Sequence, residues 1–361
     1  MNTAKKIAHI FVFLLITLMF FTGCSDYGGD ETTPVTFDSA DTRGDQVDVS
    51  TGGVDFKMSY ANDQTSITFP FSPSIGTPVD NETETINHKF FMGQTQVTWA
   101  LWKAVYDWAV HGDRGTNVYA FQNPGQMGNI NGDAAITDQH PVTMVSWRDA
   151  IIWCNALSEM TGSEVVYVAN GTYGTTDGDV LRTSIDDAYS GNNVEDVVKS
   201  ESDNLIRTGY RLPTSKEWEY SARYVGTDAD GRTDYVSQDT NGGHADLTEG
   251  YFWTPAAYAS GGTDSVNFDL FAWYGDNTGD PKKTQPVGQK PAAGNGLVLY
   301  DMSGNVWEWC FTLTVDYGYN VRVIRGGSWS NSTSNMQVGY WNYKFPFNEL
   351  NYVGFRFART K

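Results

Sequence analysis

Leu299-Tyr-Asp-Met-Ser-Gly-Asn-Val-Trp-Glu-Trp309 and, shortly after it, Arg325-Gly-Gly-Ser-Trp329 set tryptophans among glycines and polar residues. Two earlier stretches have the same character: His140-Pro-Val-Thr-Met-Val-Ser-Trp-Arg-Asp149-Ala and Gly209-Tyr-Arg-Leu-Pro-Thr-Ser-Lys-Glu-Trp-Glu219-Tyr. Trp147, Trp218, Trp307 and Trp309 read as the filling of a core made of short strands and loops. Their indole N–H groups are expected to be tied to backbone carbonyls. The composition agrees, since 14% of the 361 residues are aromatic and only 19% are charged. That is too much ring for a disordered acidic protein. Lys and Arg number 24 against 43 Asp and Glu, a net charge of −19. Nucleic acid is therefore not an expected partner, because it needs a basic face for its phosphates.

Val54-Asp-Phe56-Lys-Met58 and Ile67-Thr-Phe69 alternate as short strands do. Thr98 opens a helix on which Leu101, Trp102, Val105, Tyr106 and Ala109 share one face. Ser146, with Asp149 three residues on, caps a second helix. Its buried stripe is Ala150, Ile151, Cys154 and Leu157, and Gly162 stops it. Thr214 and Glu217 form the capping box of a third. The polar stretches 170–204 and 226–262 are long loops or inserts. The three cysteines, Cys24, Cys154 and Cys310, are too few for a disulfide framework. Cys154 reads as a small buried hydrophobe, and free thiols are expected at Cys154 and Cys310.

The chain starts with Lys5-Lys6 and an apolar run from Ile7 to Phe21, the pattern of a secretory signal. The run is short for a membrane span, which takes about 20 residues. Phe21-Thr-Gly-Cys24 resembles a bacterial lipobox, which implies cleavage before Cys24 and lipidation of its sulfur. Residues 1–23 are thus expected to be a lipoprotein signal peptide, and residues 24–52, poor in large apolar side chains, an acidic flexible tether. The membrane partner is reached through the lipid on Cys24. The folded domain is expected over 53–361.

Motifs for catalysis are missing. His88, His111, His140 and His244 have no metal-ligand spacing. Neither a Gly-x-Ser-x-Gly elbow, a Cys-x-x-Cys pair, a phosphate loop nor a dinucleotide fingerprint occurs.

Six blocks in order carry a family resemblance: Phe91-Met-Gly-Gln-Thr-Gln-Val-Thr98, the four stretches quoted above, and Gly354-Phe-Arg356. Together they resemble the family of the formylglycine-generating enzyme. The resemblance implies an α+β fold of the C-type lectin kind, with short antiparallel strands, two or three helices and much irregular loop. It also implies where copper-binding cysteines would lie in an oxidase; those positions hold Asn331 and Met336 here, and neither offers a thiolate. No catalytic residue and no required cofactor are therefore expected. The family's calcium loop falls on Asp301, Gly304, Val306 and Glu308. There the resemblance implies a structural Ca2+ held by two carboxylates and two main-chain carbonyls.

Residues Ser330 to Tyr352 hold five Asn, three Ser, three Tyr and two Phe in 23 positions. Antibody loops favour the same residues, since Tyr and Trp give contact area at low entropy cost while Ser and Asn give adaptable hydrogen bonds. The segment resembles the variable region of diversity-generating retroelement proteins. In those proteins a reverse transcriptase randomises template adenines, and Asn codons become Ser, Tyr, Phe, Leu or Thr codons. By that resemblance the variable region is 329–356. Its diversified ligand-binding residues would be Ser330, Asn331, Ser332, Ser334, Asn335, Tyr340, Trp341, Asn342, Tyr343, Phe345, Phe347, Asn348, Leu350, Asn351 and Tyr352. Met336, Gln337, Glu349 and Gly354–Arg356 would be fixed framework. The expectation is a surface-displayed outer-membrane lipoprotein that binds a variant-specific protein or surface ligand. The alternatives are a formylglycine-type oxidase, a related iron-dependent oxygenase, and an envelope lipoprotein with one fixed partner.

Overall fold

Among the described residues, Thr98, Ser146 and Thr214 each start a helix because each turns its hydroxyl onto a first-turn N–H that has no helical partner. The helices are α1 (Trp99–Ala109), α2 (Trp147–Met160) and α3 (Ser215–Arg223). In α2 and α3 the cap is reciprocal, with the Asp149 and Glu217 carboxylates accepting from the N-cap backbone. Gly162, at φ 68°, follows the end of α2. Tyr106, placed on the apolar face of α1 by its spacing, is half-buried rather than buried. The computed structural model describes residues 46–51, 54–62, 65–71, 82–129, 135–169, 179–185, 207–226, 235–236, 269, 271–292, 297–336 and 338–361. The expected signal peptide, Cys24, the expected tether to residue 45 and most of the two polar stretches lie outside the described residues.

Nine strands make the two main sheets: β1 (Gln46–Thr51), β2 (Val54–Asn62), β3 (Phe90–Gly93), β4 (Tyr210–Arg211), β5 (Trp307–Asp316), β6 (Tyr319–Arg325), β7 (Trp341–Lys344), β8 (Val353–Gly354) and β9 (Ala358–Thr360). The first sheet has the order β1-β2-β3-β9-β4, all antiparallel. The second has the order β7-β6-β5-β8, in which β5 and β8 run parallel and the other pairs antiparallel. The fold class is α+β, as the family resemblance implies. One boundary differs: β1 lies inside the expected tether and pairs from Gln46 with Ser59 to Thr51 with Val54. Its ladder hydrogen bonds to β2 order a strand that lacks large apolar residues.

The core is aromatic. Trp102 and Trp153 stack with centroids 5.9 Å apart and planes 7° from parallel, and Phe355 meets both edge-on. The indoles of Trp147 and Trp309 donate to the carbonyls of Cys310 and Val145, at 3.0 Å each. The other two depart from the expectation, because Trp218 donates to Glu308 Oε2 (2.6 Å) and Trp307 to Asn331 Oδ1 (2.8 Å). Buried ion pairs tie these elements together: Arg211–Glu217 joins β4 of the first sheet to α3, Arg325–Glu219 joins β6 of the second sheet to α3, and Arg356–Glu308 joins the stretch after β8 to β5. Each is fully hydrogen-bonded, the condition under which burying charge is tolerated.

Candidate ligand-binding surface

The segment 330–352 crosses the second sheet's edge as β7 and runs over its end as loops. A ring of donors outside the segment grips it by its main-chain carbonyls. Gly275 N–H donates to Asn331 O (2.8 Å), Ser303 Oγ to Met336 O (3.0 Å) and Arg325 Nη1 to Val338 O (3.2 Å). Met144 N–H donates to Leu350 O (3.1 Å), the Trp329 indole to Asn351 O (3.3 Å) and Trp307 N–H to Tyr352 O (2.9 Å). Strand β6 supplies the ladder to β7, from Arg322–Lys344 to Arg325–Trp341. Carbonyls are present whatever side chain a residue bears, so this grip is indifferent to sequence.

None of the fifteen candidate binding residues is buried. Ser330, Ser332, Ser334, Phe345 and Phe347 are exposed, and the other ten are intermediate. Met336, Val338, Gly339, Pro346 and Val353–Arg356, between and after them, are buried. The split is not absolute. Tyr340, Leu350 and Tyr352 lean on the main core, and Trp341 leans on the second cluster. Asn331 has a structural task, since its Oδ1 accepts from the Trp307 indole and from Ser328 Oγ (2.7 Å). Asn348 Oδ1 closes a local turn by accepting from Phe345 N–H (3.1 Å).

A neighbouring group escapes the sequence reading. Of the seven large hydrophobics exposed among the described residues, Phe345 and Phe347 belong to the segment and four belong to the β5–β6 hairpin tip: Leu313, Val315, Tyr317 and Tyr319. Tyr319 meets Phe345 edge-on at 6.0 Å, and Phe345 stacks on Phe347 at 5.3 Å. The tip and the segment thus share one aromatic cluster. Phe311, Leu313 and Val315 alternate with Thr, the sequence pattern of a half-buried strand, and for that reason the exposure of Leu313 and Val315, beside the buried Phe311, is not legible in the sequence.

The two positions aligned with the oxidase cysteines have structural tasks, Asn331 as a hydrogen-bond acceptor and Met336 in packing. Met336 is fully buried with Ala272 and Tyr274. Gly327, at φ 76°, has no room for a Cβ because the Met336 thioether fills the space. Cys154 and Cys310 are buried thiols not joined in a disulfide, and burial pushes the Cys154 thiol well above its usual range. Among the described residues no cluster of three or more His, Cys, Asp or Glu could hold a metal, and no helix is long and apolar enough to cross a membrane. A cleft of about 420 Å3, lined in part by Lys57, Gln94, Gln96 and Tyr300, includes no residue of the segment.

The expected calcium loop has a different arrangement from the one implied. The Asp301 carboxylate accepts from Gly288 N–H (2.7 Å), and burial raises its pKa to about 6. The carbonyls of Asp301, Gly304 and Val306 and one oxygen of Glu308 converge instead, on the side-chain amide of Gln96.

The Treponema denticola variable protein 1 has a similar structure, with a TM-score of 0.56 and 25% identity over 88% of this chain and 99% of that one. A chaperone protein, LppX, of Paenibacillus barcinonensis is 30% identical over 253 residues, covering 62% of this chain and 71% of the relative. The formylglycine-generating enzyme of Mycobacterium tuberculosis is 40% identical over 106 residues, only 27% of that enzyme's length. The sulfatase-modifying factor enzyme 1-like domain matches residues 35–361, and the chain belongs to that family.

Proposed function

We propose that this chain is a membrane-anchored binding protein rather than an oxidase, and that residues 330–352 form a ligand surface whose side chains vary while its backbone stays fixed. The carrying observation is the division of labour within the segment: outside donors hold its carbonyls, and none of its fifteen candidate side chains is buried. A rigid base lowers the ordering cost of binding. The similarity to a Treponema denticola variable protein over nearly that protein's whole length supports the same reading. Against oxidase activity stand Asn331 and Met336, one accepting hydrogen bonds and one filling the core, at the positions where copper would need thiolates. The exposed hairpin tip, Tyr319 above all, supplies a constant apolar margin to the surface. The lipobox-like Phe21–Cys24 supports anchoring through Cys24.

Sequencing the gene's 3′ end through many generations of one culture tests the diversification. Substitutions are expected at codons of the fifteen residues, matched to adenines in a nearby near-copy and accompanied by a reverse transcriptase gene. A locus without the near-copy, or substitutions spread evenly over buried framework codons, would contradict it.

A further inference from the structure

Gln96 follows β3 and is fully buried. Its amide nitrogen lies within hydrogen-bond distance of four oxygens: Asp301 O (3.3 Å), Gly304 O (3.2 Å), Val306 O (3.0 Å) and Glu308 Oε1 (3.0 Å). Left-handed backbone at Asp301, Gly304 and Asn305, with φ of 53°, 86° and 62°, shapes the turn that brings these oxygens together. At Gly304 a side chain is excluded as well, since a Cβ would collide with the Trp273 carbonyl.

Four oxygens aimed at one centre is the arrangement a hard cation requires, at about 2.3–2.6 Å for calcium. Here the centre is taken. An amide nitrogen at hydrogen-bond distance from all four leaves no volume for an ion, and its two protons are shared among the acceptors. The acceptors also dictate which way the amide turns. The opposite orientation would press Gln96 Oε1 against four oxygens, and the observed one is kept although it leaves Oε1 buried without a hydrogen-bond partner. Charge points the same way. Arg356 already neutralises Glu308 with two hydrogen bonds, Nε to Oε2 (2.6 Å) and Nη2 to Oε1 (2.7 Å). A divalent ion would sit beside that guanidinium with no free carboxylate to balance it, because the Asp301 carboxylate faces Gly288. The residues present therefore do not fit the calcium that the family resemblance implies.

We propose that the Gln96 amide is a built-in replacement for that cation, closing the 301–308 loop without metal. The loop leads directly into β5, whose Trp307 holds Asn331 and contacts Tyr340 at 6.0 Å. The inference concerns stability and is independent of the binding role.

Thermal unfolding of the full-length protein in detergent, with calcium chloride or with EGTA, tests it. The unsubstituted protein is expected to show the same Tm in both. Gln96→Ala strips the donor from four buried oxygens, and Gln96→Glu adds a carboxylate to them. Both are expected to lower Tm in EGTA by more than about 5 °C and to recover part of the loss in calcium. Should either variant fail to fold, the unsubstituted protein and the other variant still decide. A Tm of the unsubstituted protein that falls in EGTA and returns with calcium would overturn the proposal. So would variants as stable in EGTA as their parent, because Gln96 would then be filling nothing.

Discussion

At Asn331 and Phe345 the same short segment makes opposite use of a side chain. Phe345 is exposed, while Asn331 receives the Trp307 indole and the Ser328 hydroxyl. Substituting Phe345→Ser or Phe347→Ser should change unfolding free energy by less than about 0.5 kcal/mol. Met336→Ala empties a fully buried position and should cost about 2–5 kcal/mol. Urea titrations compare the three directly, and similar losses in all of them would refute the division. The types and spacing of the candidate binding residues are legible in the text. The special position of Asn331 is not, because it depends on a tryptophan that only the fold brings near. Burial is the largest influence on Glu217 and would raise its pKa, but Arg211 and hydrogen bonds from His88 and Arg211 bring it well below the ordinary 4.5. In the folded state Glu217 thus binds fewer protons than in the unfolded chain. Its contribution is complete above pH 4.5 and is lost as pH falls below that value. Glu217→Gln should destabilise the protein at neutral pH by about 3–5 kcal/mol, since Arg211 loses its buried counter-charge. It should also flatten the acid limb of the stability profile, and an unchanged limb would show that the loss in acid lies elsewhere.

Among the elements, the helices are the most legible, because capping is local chemistry: a hydroxyl and a carboxylate three residues apart determine where α2 and α3 begin. The two-residue strands β4 and β8 are too short for any period to register, and their pairing with β9 and β5 joins distant parts of the chain. Strand β1 is missed for another reason. Val47 and Val49 alternate weakly in an otherwise polar stretch, too little apolar pattern to mark a strand. The β5–β6 hairpin turns through Tyr317 and Gly318, both left-handed at φ 45° and 84°. Its tip lies outside the variable segment, so it should contribute alike to every variant's binding. Tyr319→Ser is expected to weaken binding by about tenfold for several selected variants with different ligands, with no loss of Tm. Surface plasmon resonance on such a set provides the test, and an effect confined to one variant would remove the hairpin from the shared surface.

Across the whole molecule, most of what holds the fold lies outside the variable segment, whose own share includes the buried Met336 and the Asn331 side chain that receives the Trp307 indole. Arg211, Arg325 and Arg356 are buried against Glu217, Glu219 and Glu308, and the tryptophans bond to carbonyls, a carboxylate and Asn331. The motif blocks are readable in the text as core, but the pairing of each arginine is not, since Arg325 and Arg356 reach carboxylates far away in sequence. The central claim is that fold energy and ligand contacts reside in different atoms. The most direct measurement randomises Tyr343, Phe345, Phe347 and Asn348 together in the full chain displayed on cells. Thermal unfolding is recorded for unselected members, and the same library is panned against a panel of unrelated purified proteins. Tm values are expected to cluster within about 4 °C of the parent, with binders to different panel members that differ only at those four positions. A library in which most members are unfolded, or folds but yields no binders to any panel member, would contradict it.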